Sequence, residues 1–318
     1  MTRSRLRPRL KVLLASPRGF CAGVSRAIET VEETLAKYGA PVYVRHAIVH
    51  NAHVVKRLAA MGAIFVEEVD DVPDDRPLVF SAHGSPVSAH VDAKDRGIRP
   101  IDAVCPLVLK VHAQVKKYAA EGYHVLVVGH QGHPEVIGIM GQADLRSFTL
   151  IENIADAKSF SAPASVKLAY VTQTTLSIDD TKQIVDTLKT RFPNLIGPRK
   201  KDICFATENR QTAVKKIATR ADTMFVIGSA TSSNTMRLID VAEQCGVPNA
   251  ILVDDPKTVD LGSLDTTKVI GISAGASAPE DLVEMLLARL ADLFTLAIET
   301  VETAREDVSF KPPALNAG

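Results

Sequence analysis

Val12-Leu13-Leu14-Ala15-Ser16-Pro17-Arg18-Gly19-Phe20-Cys21-Ala22-Gly23-Val24 runs from a short apolar segment through a turn into a helix. Val12–Ala15 reads as a buried strand. From Val24 onward the apolar residues Val24, Ala27, Ile28, Val31 and Leu35 recur at helical spacing. Cys21 therefore sits on a strand-to-helix turn at a helix N-terminus. There the partial positive charge of the helix end favours thiolate, the form that binds metal. Gly19 and Gly23 flank it, so the backbone can bend tightly and a bulky group can approach. A buried, inert cysteine in a glycine-containing turn reads the same way when taken alone.

The pattern recurs. Cys105 follows Ile101-Asp102-Ala103-Val104, and Pro106 suits the first position of a helix carrying Leu107, Val108, Val111, Val115 and Tyr118. Cys204 follows Asp202-Ile203 and leads into Thr207-Glu208-Asn209-Arg210, then Ala213, Val214, Ile217 and Ala218 at helical spacing. Three widely separated cysteines at three helix starts look like one ligand from each of three units. Cys245 ends the apolar helix face Leu238, Val241, Ala242 and reads as core packing.

The 318 residues allow two or three domains with sizeable cores. Lys plus Arg equals Asp plus Glu at 37 each, which leaves no basic field for nucleic acid. With 5% aromatic residues and no Trp, base-stacking platforms are not expected. No apolar run reaches the ~18 residues that a bilayer crossing needs. Residues 1–10 are basic, and the run after them is too short for a signal-peptide core. The expectation is a flexible basic start on a cytoplasmic protein, with no membrane and no nucleic-acid partner. Four cysteines without a C-x-x-C pair make neither a disulfide framework nor a zinc ribbon.

Short Val/Ile/Leu-rich runs predict strands at Val12–Ala15, Val42–Arg45, Leu78–Ser81, Val125–Gly129, Leu168–Thr172, Met224–Gly228, Ala250–Val253 and Val269–Ser273. They lack clean alternation, as strands covered on both faces do, and helical runs separate most of them. This predicts an α/β fold with mostly parallel sheets. The loops behind the strands are rich in small residues, hydroxyls and histidines: Ser81-Ala82-His83-Gly84, Gly129 to Glu135, Thr172-Gln173-Thr174-Thr175, Gly228 to Asn234 and Gly271 to Ser277. Such loops at strand carboxyl ends build α/β ligand sites. Helix capping by Ser, Thr and Asn explains any one of them, but not five together.

Ser232-Ser233-Asn234 and Ser277 each precede a helical run, where hydroxyls and free backbone N–H groups make an anion site. His50 and His83 can add donors to phosphate oxygens. No Walker-type Gly-Lys loop is present, so the ligand reads as a small phosphorylated molecule. Glu135 with Thr174 and His133 can relay a proton to a leaving oxygen. The cysteines leave two readings open. One is zinc held by His130, His133 and a cysteine. The other is a [4Fe–4S] cluster held by three cysteines, with one iron open to substrate.

Nine segments in order resemble the LytB/IspH family of 4-hydroxy-3-methylbut-2-enyl diphosphate reductases, across about residues 11–290. They are Pro17 to Val24, Val49-His50-Asn51, Ser81 to Gly84, Cys105-Pro106-Leu107-Val108, Gly132-His133-Pro134-Glu135-Val136, Thr172 to Ser177, Gly197-Pro198-Arg199-Lys200 leading to Cys204, Ser232-Ser233-Asn234, and Ala274 to Pro279. Thr231 and Met236 stand where that family often has polar amides. The resemblance implies a trefoil of three similar α/β domains around a central [4Fe–4S] cluster, held by Cys21, Cys105 and Cys204 with one open iron. It implies that His50, His83, Ser232, Ser233, Asn234 and Ser277 bind the diphosphate, with His133 nearby. Thr174 and Glu135 fall where the family handles the allylic hydroxyl and delivers protons. The implied reaction is a two-electron reductive dehydroxylation to isopentenyl and dimethylallyl diphosphate, the last step of the methylerythritol phosphate route. Electrons would come singly from a ferredoxin- or flavodoxin-type donor to a monomer or weak homodimer.

The expected division is a basic start at 1–10, then units at 11–104, 105–203 and 204–295 and a tail at 296–318. Two other classes fit the bare residues: a cluster-containing hydratase that needs no electron donor, and an iron–sulfur sensor. The sensor leaves the five polar loops unexplained.

Overall fold

The computed structural model describes residues 7–264 and 268–315. Its strands form three sheets, and every strand pair is parallel. This is the α/β architecture that the unalternating apolar runs predict. The chain divides into two compact bodies. One comprises Met1–Cys21 and Phe205–Asp307, the other Ala22–Cys204 and Val308–Gly318.

The first body holds a five-stranded sheet. Its strands are β1 (Arg9–Ser16), β9 (Thr223–Ile227), β10 (Asn249–Val253), β11 (Val269–Ala274) and β12 (Thr295–Glu302), in the order β10-β9-β11-β1-β12. Because side chains alternate along a strand, β1 serves two cores. Leu10, Val12 and Leu14 pack with Leu282, Leu286 and Leu290 of α10 (Glu280–Leu293) on one face. Leu13 and Ala15 pack on the other face with α8 (Phe205–Ala218) and α9 (Ser233–Gln244), through Val214, Ile217 and Leu238. Both sets are apolar, which is why the sequence shows no alternation.

The second body holds two sheets. The four-stranded one has the order β3-β2-β4-β5, with β2 (Val42–Arg45), β3 (Ala63–Val66), β4 (Pro77–Phe80) and β5 (Arg99–Asp102). The three-stranded one has the order β7-β6-β8, with β6 (His124–Val128), β7 (Phe148–Ile151) and β8 (Leu168–Thr172). Val125 and Val127 meet Val111, Val115 and Ile139 of α4 (Pro106–Ala120) and α5 (Pro134–Met140). Leu126 and Val128 meet Ile184 and Leu188 of α7 (Ile178–Arg191). The remaining helices are α1 (Ala22–Tyr38), α2 (Ala52–Ala60), α3 (Val87–Asp95) and α6 (Ile154–Ser159).

The strand pairing departs from the expected unit boundaries. β1, assigned to a unit at 11–104, pairs with β11 and β12 in the first body. Its two apolar faces are long enough to be filled there by α8, α9 and α10, whereas β2–β5 are shorter strands with a core of their own. Residues 296–302, expected at the start of a tail, belong with Thr295 to the edge strand β12, paired with β1 from Arg9↔Thr295 to Ser16↔Glu302. The expected flexible start falls mostly on residues 1–6, outside the described residues, and Arg9 and Leu10 already belong to β1. Among the described residues no helix is long and apolar enough to cross a membrane.

Each sheet has a point where successive connections leave in opposite directions. From neighbouring β2 and β4 the chain goes outward to β3 and to β5. From β6 it goes to β7 on one side and returns to β8 on the other. β10 and β11 likewise flank β9. At such switch points the loops after adjacent strands part and leave a crevice at the strand carboxyl ends. His50 and His83 follow β2 and β4. Glu135 and Thr174 follow β6 and β8. Ser232 and Ser277 follow β9 and β11.

Candidate active site

In the second body three imidazoles gather. The His50 and His83 ring centroids are 4.2 Å apart, His50 and His133 5.3 Å, and His83 and His133 6.0 Å. His50 precedes Asn51, the N-cap of α2, and His133 is itself the N-cap of α5. Burial pushes His50 below its ordinary value and His83 well below it, with the neighbouring imidazoles adding to the effect. Burial also takes His133 down to about 4. All three are neutral near pH 7, where each ring offers one N–H donor. His133 Nδ1 accepts the Glu135 N–H at 3.1 Å, so its proton sits on Nε2, the other side of the ring.

Glu135 lies on the first turn of α5 and is 2% exposed. Its Oε1 accepts the Thr174 backbone N–H at 2.7 Å, and its Oε2 accepts the Thr174 hydroxyl at 3.1 Å. Burial raises the carboxyl to about 7 against the lowering effect of these two bonds. A carboxyl that titrates near neutrality, linked to a hydroxyl, can give up a proton at working pH. Sequence reasoning brought Glu135, Thr174 and His133 together, and the structure places the first two in direct contact.

Each candidate ligand cysteine is half-buried and precedes a helix. Cys21 N–H bonds to Ala276 O at 3.2 Å, Cys105 N–H to Ala82 O at 3.1 Å, and Cys204 N–H to Thr174 O at 3.1 Å. Every one of these partners belongs to a loop carrying a candidate substrate residue: Ser277, His83 and Thr174. Cys105 is the N-cap of α4, with Pro106 at the first helical position. Among the described residues, no three or more His, Cys, Asp or Glu side chains are gathered to hold a single metal ion. An iron–sulfur cube takes each thiolate on a separate iron, so its ligands do not converge on one point. Three half-buried thiols at helix N-termini, on separate loops, fit such a group in their chemistry. Cys245 is the C-cap residue of α9, packed against the core, as its helix face predicts.

In the first body Ser232 caps α9, its Oγ accepting the Thr235 N–H at 3.3 Å. The Ser277 hydroxyl reaches Ser232 Oγ at 3.4 Å. Asn234 Oδ1 accepts the Ala276 N–H at 2.8 Å, which ties the Ser277 loop to α9. Ser233 is half-buried beside them on the first turn. The cap of α9 and the residues expected to bind an anion are therefore the same side chains.

Sequence reasoning missed the polar and charged groups that brace these loops. Asp202, buried two residues before Cys204, accepts the Thr172 N–H at 3.1 Å, and burial raises its carboxyl. Lys110 Nζ, on the helix after Cys105, bonds to Lys200 O at 3.0 Å, Lys201 O at 2.9 Å and Asp202 at 3.4 Å. One ammonium thus joins the Cys105 helix to the loop ahead of Cys204. His112, buried on the same helix, packs against Gly84 and is lowered to about 4 by burial. Arg210, on α8, is wholly buried. Both fall in phase with apolar neighbours, His112 with Val108, Val111 and Val115, and Arg210 with Ala213, Val214 and Ile217. A polar residue on an apolar helix face was the signal available.

The profile of the family described as LytB protein matches residues 12–291. Over 312 residues the chain is 54% identical to the 4-hydroxy-3-methylbut-2-enyl diphosphate reductase of Phenylobacterium zucineum (strain HLK1), covering 98% of this chain and 99% of that one. It is 51% identical to the protein of the same name from Hyphomonas neptunium (strain ATCC 15444), over 98% of this chain and 99% of that one. Among solved structures it is similar to the E-1-hydroxy-2-methyl-but-2-enyl-4-diphosphate reductase from Plasmodium falciparum. There the TM-score is 0.90 and the identity 40%, over 97% of this chain and 96% of that one. A second structure, of (E)-4-hydroxy-3-methyl-but-2-enyl diphosphate reductase, matches with TM-score 0.63 and 30% identity, over 89% of this chain and 99% of that one. Family profile, relatives and fold agree: the chain belongs to the LytB family.

Proposed function

We infer that this chain is a 4-hydroxy-3-methylbut-2-enyl diphosphate reductase. It removes the allylic hydroxyl of its substrate as water, consuming two electrons and two protons, and releases isopentenyl and dimethylallyl diphosphate. Its relatives carry that name, and one solved relative is described as the terminal enzyme of the non-mevalonate pathway. One observation in the chain itself carries the chemistry. Thr174 is bonded twice to the buried Glu135 and, through its carbonyl, to the N–H of Cys204. Proton source, hydroxyl relay and candidate ligand cysteine form one connected unit.

Cys21, Cys105 and Cys204 would hold a [4Fe–4S] cluster, which supplies Lewis acidity toward a hydroxyl oxygen and electrons one at a time when bound. The protein residues do the rest. His50 and His83 offer neutral N–H donors to diphosphate oxygens. Ser232, Ser233, Asn234 and Ser277 offer hydroxyl, amide and helix N-terminal donors to the same group. His133, its Nε2 protonated, adds a further donor beside them. Glu135 passes a proton through Thr174 to the departing hydroxyl, and its raised carboxyl keeps that proton available near neutral pH. A ferredoxin- or flavodoxin-type protein is the electron donor in this reading, and the working form is a cytoplasmic monomer or weak dimer.

The test is anaerobic purification, followed by iron and acid-labile sulfide analysis and turnover of the allylic diphosphate with a low-potential reductant. About four irons and four sulfides per chain, with reductant-dependent turnover, are expected. About one zinc with no sulfide would remove the mechanism, and turnover without a reductant would turn the assignment to a hydratase.

A further inference from the structure

We propose that Arg210 is a positioning residue for Cys21, acting through the carbonyls of Gly19 and Phe20 with Glu306 as its counter-charge. This rests on the reading of Cys21 as a cluster ligand. All the contacts lie within the first body. Arg210 Nε and Nη2 donate to Gly19 O at 3.0 and 2.6 Å, and Nη2 also donates to Phe20 O at 3.2 Å. Nη1 donates to Ala206 O at 2.9 Å and to the Glu306 carboxylate at 2.9 and 3.2 Å. Asn209 Nδ2 donates to Glu306 Oε1 at 3.0 Å and fixes the carboxylate from the other side.

The guanidinium is thus fully used. It is too large and too polar for an apolar helix face unless its five N–H groups all find partners, and those of Nε and Nη2 go to the two carbonyls just ahead of Cys21. The same turn is held elsewhere. Gly19 N–H bonds to Ala274 O and Cys21 N–H to Ala276 O. Thr303 donates to Ser16 O from both its N–H and its hydroxyl. Gly19, with φ +68°, takes the left-handed bend this requires, and a Cβ there would lie 3.1 Å from Ala278 O. Thr303 to Glu306 therefore form a strap on the turn that carries the cysteine. The segment after β12 thereby supplies the charge that lets a buried arginine grip the Cys21 loop.

The charges of Arg210 and Glu306 cancel at close range, so the role is geometric. Removing one partner leaves the other buried and uncompensated, which loosens the turn locally before it unfolds the body.

The experiment compares Glu306→Gln with the milder Asn209→Ala in the full chain. Alkylation of each cysteine is followed site by site in metal-free protein. Cluster content and the rate of iron loss in air are measured on the loaded protein. In Glu306→Gln, Cys21 should be alkylated on the order of tenfold faster as local opening becomes more populated. Cys105, Cys204 and Cys245 should keep their rates, and iron loss should accelerate. Asn209→Ala should shift Cys21 the same way by less, and it decides the matter if Glu306→Gln does not fold. Unchanged Cys21 rates in both variants, or rates that rise equally at all four cysteines, would overturn the proposal. The alkylation result does not depend on what the cysteines hold. A wild-type chain without iron would sink the cluster reading while leaving the Arg210 result to be judged by itself.

Discussion

Glu135 shows how burial and hydrogen bonding set a single group for its work. Two bonds from Thr174 favour the carboxylate, burial disfavours it more, and the outcome is a carboxyl near 7 instead of near the ordinary carboxylate range. In its proposed role as the acid it must be protonated, so turnover should fall as pH rises through about 7. Glu135→Gln keeps the shape and an acceptor for Thr174 but has no proton to give. Turnover should drop by about two to four orders of magnitude, while diphosphate affinity and iron content hold. Loss of the limb near pH 7 in this variant's residual activity is the signature to measure. A variant with wild-type turnover would take the proton relay away from Glu135. At this scale the sequence was informative about identity and silent about contact. It named Glu135 and Thr174 from residue type. That the carboxylate accepts both donors of Thr174 follows only from the parallel placement of β6 and β8.

At the scale of elements, the loops are held apart from solvent by close packing that only glycine permits. Gly84 sits behind His83 at φ +84°, and a Cβ there would lie 2.6 Å from Cε1 of the His112 ring. The ring has little room to retreat, since Gly138 of α5 lies behind it, with its own Cβ position 3.4 Å from His112 Nε2. Gly84→Ala should therefore cost about 1–3 kcal/mol through overpacking alone, before the backbone strain is counted. It should weaken diphosphate binding more than Gly97→Ala, where nothing lies within 4 Å. Comparing melting temperature and KM of the two variants checks this, because both share the strain of a positive φ.

The strands also show where local pattern fails. The eight predicted strands are all present, within a residue at most ends except for a longer β1. The four that were not predicted, β3, β5, β7 and β12, all lie at sheet edges. An edge strand has less to bury, and its sequence shows it. β5 is Arg-Pro-Ile-Asp, and its proline is tolerated because one side needs no ladder partner. β12 alternates Leu296, Ile298 and Thr300 with charged or small residues and is exposed along most of its length. What makes it a strand is β1, far away in sequence.

At the scale of the whole molecule, the titratable groups that matter are buried, so the site writes itself into stability. His50, His83, His90, His112, His124 and His133 all bind protons less readily folded than unfolded. As pH falls below 6.5 the unfolded chain takes up protons that the folded chain refuses, so stability drops with falling pH. Glu135 and Asp202 work the other way. Their carboxyls are raised in the fold and bind protons more readily there. The imidazoles prevail, and the metal-free chain should melt lower at pH 5 than at pH 6.5. Glu135→Gln, which deletes one opposing group, should steepen that dependence. Calorimetry across the range gives the sign, and a chain that melts higher at pH 5 would show that these imidazoles charge freely in the fold.

The placement of β1 between β11 and β12 also bears on how the chain is made. A ribosome delivers Arg9–Ser16 long before Val269–Ala274 and Thr295–Glu302, so in the five-stranded sheet β1 is made before either of the strands that flank it. The strands and helices between Ala22 and Cys204 can form their own cores while synthesis continues. β1, apolar on both faces and lacking either neighbour, has to wait with its backbone donors open. Until β11 and β12 are made, this eight-residue strand and the cysteine turn behind it lack the pairing that holds them in the fold. On the proposed reading of Cys21 as a cluster ligand, loading at this turn therefore waits until β11 and β12 have been made.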